Sequence, residues 1–177
     1  MQLKFSLLCL LVIGMAAKGN LFGQQFTPAN NEDEFERQYQ ERIKKDVLNG
    51  VYIPKNLDDA FAQLNKLISP ESQATIKSIP EDSVCIALHR RLGQWMIMNW
   101  GFYDGSRLSH YLRSAGITYP DDMADFLLIG YHRHLNGKPV NVRDLAIFYK
   151  EKRKKEFEER QKSMPVLHEE TRKRPKD

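Results

Sequence analysis

From residue 31 to about residue 150, apolar side chains recur three and four positions apart, and Gly, Pro or Asn interrupts the pattern at short intervals. That spacing follows the 3.6-residue turn of an α-helix, and no stretch shows the two-residue alternation of a half-buried strand. The chain is therefore expected to be all-α, a single compact bundle of about six or seven helices.

Residues 24–50 read as an N-terminal amphipathic helix, with Phe35, Tyr39, Ile43 and Val47 on one narrow stripe between Glu32 and Leu48. Asn56 caps a helix from Leu57 to Ile68, and Ser69 with Pro70 opens a short one to about Ser78. Glu81 to Met98 places Val84, Leu88, Leu92, Trp95 and Met96 on a wide apolar face and is the expected spine of the core. Ser106 caps a short helix ended by Gly116. Pro120 begins another that Asn136 and Gly137 stop, with Ala124, Leu127, Leu128, Tyr131 and Leu135 inward and Gly130 admitting a close neighbour. The last helix starts near Asn141 and buries Leu145, Ala146, Phe148 and Tyr149, which closes a core domain at residues 51–150. Residues 151–177 read as a charged helix extension with opposite charges four apart, such as Glu151 and Lys155, running into a disordered basic tail.

The first 23 residues have the form of a secretory signal peptide: Lys4, an apolar run from Phe5 to Ala17, then small residues at Ala16, Ala17, Gly19 and Gly23. The run of 13 is short of the roughly 20 residues a membrane span needs, and no later segment is longer. The expectation is an exported, periplasmic or secreted protein without a transmembrane segment. Ala17, Gly19 and Gly23 all offer a cleavage site; cutting after Gly23 would leave 154 residues, and any of the three leaves a single cysteine, Cys85, so packing rather than an intrachain disulfide must hold the fold.

Lys150 to Asp177 holds 11 basic and 7 acidic residues, and the rest of the chain balances at 16 of each, so the whole net charge of +4 sits in the tail. A nucleic-acid-binding body would carry a basic stripe, so no nucleic-acid partner is expected. The tail itself suits weak, salt-sensitive contact with anionic surfaces.

The segment around the Trp-Gly pair is the most informative for chemistry. Asn99, Trp100, Tyr103, Asp104, Ser106 and Arg107 join an aromatic loop to a helix start, where aromatic faces can stack a sugar and amides with Arg107 attract an anion. Asp121 and Asp122 are taken as neighbours of this surface. The plain alternative is that Trp100 and Phe102 plug the bundle, with Asn99 stitching loop to helix. Asp121, Asp122 and Asp125 spell an Asp-Asp-x-x-Asp pattern, but acids after a helix-starting proline are favoured by the dipole alone. Cys85 and His89 are four apart and able to touch, yet a third partner is missing. His132 and His134 lie on different sides of a helix, and His110 reads as a surface residue. No phosphate loop, zinc-protease helix or nucleophile elbow occurs, and neither a cofactor nor a metal is expected.

One resemblance is carried by Ile53, Pro54, Leu57, Ala60 and Phe61, then Leu92, Gly93, Trp95, Asn99, Trp100, Gly101, Gly105, Ser106, Leu108 and Tyr111, and finally Gly116, Ile117, Pro120, Asp121, Asp122 and Met123. This stretch, from Val51 to about Gly137, resembles an uncharacterised domain family of small bacterial proteins. Phe102 and Tyr103 stand where Leu and Trp are expected, a conservative departure. The resemblance implies a folded module and no established activity, ligand or catalytic residue. The functional expectation is a non-catalytic binding or protein-interaction module of the cell envelope, with an envelope protein or glycan as partner. The rival is a small envelope hydrolase using Asp104, Asp121, His110 or His89 as acid and base, which requires two of them to converge.

Overall fold

The computed structural model describes residues 29–164, of which 71% are helical, so the fold is all-α. The expected leader and the basic tail lie outside the described residues. No helix among those described is long and apolar enough to cross a membrane.

The first helix, α1 (Glu32–Arg42), begins where Asn31 accepts a hydrogen bond from the Glu34 amide, but it stops well short of Leu48. The amides of Lys44 and Lys45 turn back to the carbonyls of Glu41 and Arg42. An unexpected two-stranded hairpin follows, β1 (Val47–Leu48) and β2 (Val51–Tyr52), paired antiparallel. Its cause is the Asn49-Gly50 pair: both residues have positive φ, 51° and 79°, as a tight two-residue turn demands. A helical stripe run on to Leu48 therefore overextends α1, which ends at Arg42.

The helices α2 (Leu57–Leu67) and α3 (Pro70–Ser78) start on their expected caps, with Asn56 accepting from the Asp59 amide and Ser69 from the Ser72 amide. The segment expected as one helix from Glu81 to Met98 is instead a 3-10 turn at Glu81–Ser83, α4 (Val84–Leu88), a π-helical turn at His89–Gly93 and α5 (Gln94–Asn99). A π turn takes up one extra residue and rotates everything after it. Val84 and Leu88 face inward before the turn; Gly93 is buried at its end, and after it the buried positions are Met96, Ile97 and Trp100. Trp100 thus takes the core-facing place that uniform periodicity gives to Asn99, and the Asn99 amide donates to the Trp95 carbonyl of its own helix.

Ser106 caps α6 (Arg107–Ser114) in a reciprocal box with Ser109, and Pro120 opens α7 (Pro120–Leu135). It is α7, rather than the Glu81–Met98 segment, that forms the spine, since α2, α3, α4, α5, α6 and the last helix all touch it. Its Met123, Ala124, Phe126, Leu127, Leu128 and Tyr131 are fully buried. Gly130 admits Phe61 of α2: a Cβ there would lie 3.0 Å from the ring tip. The final helix, α8 (Val142–Ser163), packs through Leu145 and Tyr149, while Phe148, expected inside, is 56% exposed. Beyond the body α8 is exposed and carries pairs such as Lys155 with Glu159.

Candidate interaction surface

The end of α5 turns sharply because Gly101 takes φ 64°, which returns the Phe102 amide to the Ile97 carbonyl. Trp100 is buried at 1% exposure, packed edge-on against Trp95 with ring centroids 5.7 Å apart, and Phe102 is buried beside it. Both rings are core, so the stacking surface expected of Trp100 is not offered to solvent. Tyr103, at 59% exposure, and Asp104 point outward from the same loop.

Each remaining polar residue of the loop has a definite engagement. Ser106 spends its hydroxyl on the Ser109 amide. Arg107 donates from Nε to the Ile53 carbonyl at 2.6 Å and lies over the Tyr52 ring, while its buried Nη2 has no hydrogen-bond partner. The Tyr52 hydroxyl donates to Asp59, whose carboxylate raises the phenol above its ordinary range.

The outer side of the loop is occupied by α1. Arg42 Nε donates to the Gly105 carbonyl at 2.9 Å, and Arg42 Nη2 lies 3.7 Å from the Asp104 carboxylate. The Tyr39 hydroxyl is 2.9 Å from His110 Nδ1, and the guanidinium of Arg113 sits over the Tyr39 ring. Tyr39 lies directly against the backbone of Gly105: a Cβ at that position would stand 2.3 Å from the ring, and the φ of 92° already favours glycine. The involvement of Tyr39 and Arg42 was missed by sequence reasoning, because a helix stripe does not say which of its members meet a loop some 63 positions later.

Asp121 and Asp122 take other partners. Asp122 is buried and accepts from both Lys152 and Arg153 of α8, the Arg153 Nη2 bond measuring 2.7 Å. Asp121 is exposed and lies 3.4 Å from His89 Nε2, while Asp125 lies 2.6 Å from His89 Nδ1. The Asp-Asp-x-x-Asp carboxylates therefore split, Asp121 and Asp125 onto one imidazole and Asp122 onto α8, and among the described residues no three His, Cys, Asp or Glu side chains are placed to hold a metal ion. Beside Asp122 a groove of about 280 Å³ runs between residues 116–119 and α8, lined also by Tyr149, Lys150 and Arg153.

Of the groups named for acid–base chemistry, the structure unites His89 with Asp121, and attaches His110 and Asp104 to α1. His89 is thus held between two carboxylates, Asp125 at Nδ1 and Asp121 near Nε2. Cys85 is no nucleophile for it: burial, helped by the Asp125 carboxylate, pushes the thiol up to about 12. His132 is buried and set against the Ile79 carbonyl, and the exposed His134 packs on Phe61.

Residues 53–135 match the family model of a domain of unknown function. That family is DUF6794, and the match spans 83 of the chain's 177 residues. No curated protein and no solved structure matches the chain. The matched stretch runs from the end of the hairpin to the end of α7, close to the stretch that carried the resemblance, and it contains the whole Gly101–Arg107 loop. The helices α1 and α8 lie outside the matched residues, so Gly105, inside them, is contacted by a segment that the family model does not cover.

Proposed function

We propose that the protein is an exported, non-catalytic interaction module of the cell envelope, and that it meets its partner through the outer side of the loop bearing Tyr103, Asp104 and Gly105. One observation carries this reading: that side of the loop already binds a segment from outside the matched domain, through the Arg42–Gly105 hydrogen bond and the Tyr39 contact. The signal-like first 23 residues support export, and the charge of the tail supports a weak auxiliary contact with anionic surfaces. His89 and Asp121 do come together, but the high thiol pKa of Cys85 leaves no activated thiol beside them, which speaks against a thiol-based form of the hydrolase alternative.

A photo-crosslinking amino acid placed at Tyr103 in living cells tests the reading. Discrete adducts with an envelope protein or glycan are expected from position 103, and none from position 86, a still more exposed site on α4. Equal labelling from both positions, or an uncleaved leader on protein recovered from the cytoplasm, would overturn it.

A further inference from the structure

We propose that the face formed by Gly105, Asp104, His110 and Arg113 is a seat for a helix carrying tyrosine and arginine three residues apart, that the partner presents such a helix, and that α1 occupies the seat in cis as a displaceable strap. The inference rests on the interaction reading above and names the chemistry of what is bound. Each element of the seat matches one feature of Tyr39 or Arg42. The bare backbone of Gly105 receives the flat ring, His110 Nδ1 meets the hydroxyl, and the Arg113 guanidinium covers the ring face. The Gly105 carbonyl and the Asp104 carboxylate together take the guanidinium.

The strap is built to let go. No residue of α1 is buried, and Phe35, the apolar residue one turn before Tyr39, stays half exposed. An element without buried apolar side chains opens at far less cost than the core beneath it. Its C-terminal end is tethered instead by the hairpin, whose Leu48 enters the core and whose Ile53 amide closes on the Asp46 carbonyl. Release of α1 therefore frees the seat without disturbing the bundle. Arg113 Nε is buried beneath α1 with no hydrogen-bond partner, so the seat keeps a donor that α1 does not use.

The test uses the full chain and a fluorescent peptide of residues 30–46. In a chain carrying Tyr39→Ala and Arg42→Ala the strap loses its anchors and the seat is intact, so the peptide is expected to bind saturably. It should bind the unmodified chain at least ~10-fold more weakly, because a closed strap leaves only a small competent fraction. The same peptide with Tyr39→Ala and Arg42→Ala should not bind. Adding Asp104→Lys to the strap variant reverses the charge facing Arg42 and should abolish binding, and Gly105→Ala should do the same by filling the space under the ring; melting curves establish that each variant is folded. Equal affinity for unmodified and strap-variant chains, no binding to either, or indifference to both seat substitutions overturns the proposal. The two readings fail separately: lost peptide selectivity with Tyr103 adducts intact removes the helix seat alone, and absent adducts with selective peptide binding removes the envelope-partner reading alone.

Discussion

Arg153 of α8 reaches across to α7 and donates to both oxygens of Asp122, a carboxylate that is 1% exposed. The pairing raises the Arg153 pKa further above its ordinary value and fixes α8 where Tyr149 enters the core. Because α8 buries only Leu145 and Tyr149, this ion pair carries an unusual share of its docking.

Asp122→Asn should therefore destabilise the protein by about 2 to 3 kcal/mol, since it weakens charge-assisted bonds and strands a partly buried guanidinium. Urea unfolding measures the loss, and hydrogen exchange should rise along residues 142–153. Lys154→Ala, one residue further along on the exposed side, should change stability by less than about 0.5 kcal/mol.

Cys85 should be nearly inert in the folded state. With its thiol pushed up to about 12, only about one molecule in 10³ carries a thiolate at pH 9. Alkylation by iodoacetamide at that pH should be at least ~100-fold slower in the native protein than in urea. Fast native alkylation would show that the packing of Cys85 against Asp125 is wrong, and would reopen thiol chemistry beside His89.

The Glu81–Arg133 pair gives a pH dependence of definite sign. Arg133 donates to Glu81 Oε1 from both Nε and Nη2, and these bonds, with Lys138 close by, hold the Glu81 carboxyl below its ordinary range. A folded-state pKa below the unfolded one means that the stabilisation is complete above the ordinary carboxylate titration and is lost as pH falls through the lowered value. Unfolding free energy should thus drop between about pH 5 and pH 3, by about 1 kcal/mol more in the unmodified protein than in Glu81→Gln. Parallel pH curves for the two proteins would remove the pair from the account.

The architecture was readable wherever a cap and a period agreed. Asn56, Ser69, Ser106 and Pro120 begin helices where local chemistry requires, because each satisfies or dispenses with amides that the first turn leaves open. The hairpin was also readable in principle: Asn49-Gly50 between apolar pairs is a turn signal that outweighs a helical stripe. The π turn at His89–Gly93 was not, since every residue in it is compatible with an ordinary helix and the extra residue shows only in which later positions are buried. That single insertion exchanged the roles of Asn99 and Trp100. The seat on Gly105 was half visible: an Asp-Gly break announced the loop, but pairing it with Tyr39 and Arg42 needed the tertiary fold.

The loop after α5 divides into an inward and an outward half, and substitutions should separate them cleanly. Trp100 is enclosed by Trp95 and Phe102, so Trp100→Ala leaves a cavity and should cost about 3 to 5 kcal/mol, with lost near-ultraviolet ellipticity. Tyr103 touches the same loop from the solvent side, and Tyr103→Ala should change stability by less than about 0.5 kcal/mol. Only the second substitution can report on binding: loss of a partner with Trp100→Ala would follow from unfolding, whereas loss with Tyr103→Ala at an unchanged melting temperature would locate the contact on the loop's outer side. Retention of every partner by a stable Tyr103→Ala and Asp104→Ala double variant would move the contact elsewhere, with the groove between residues 116–119 and α8 as the next surface to probe.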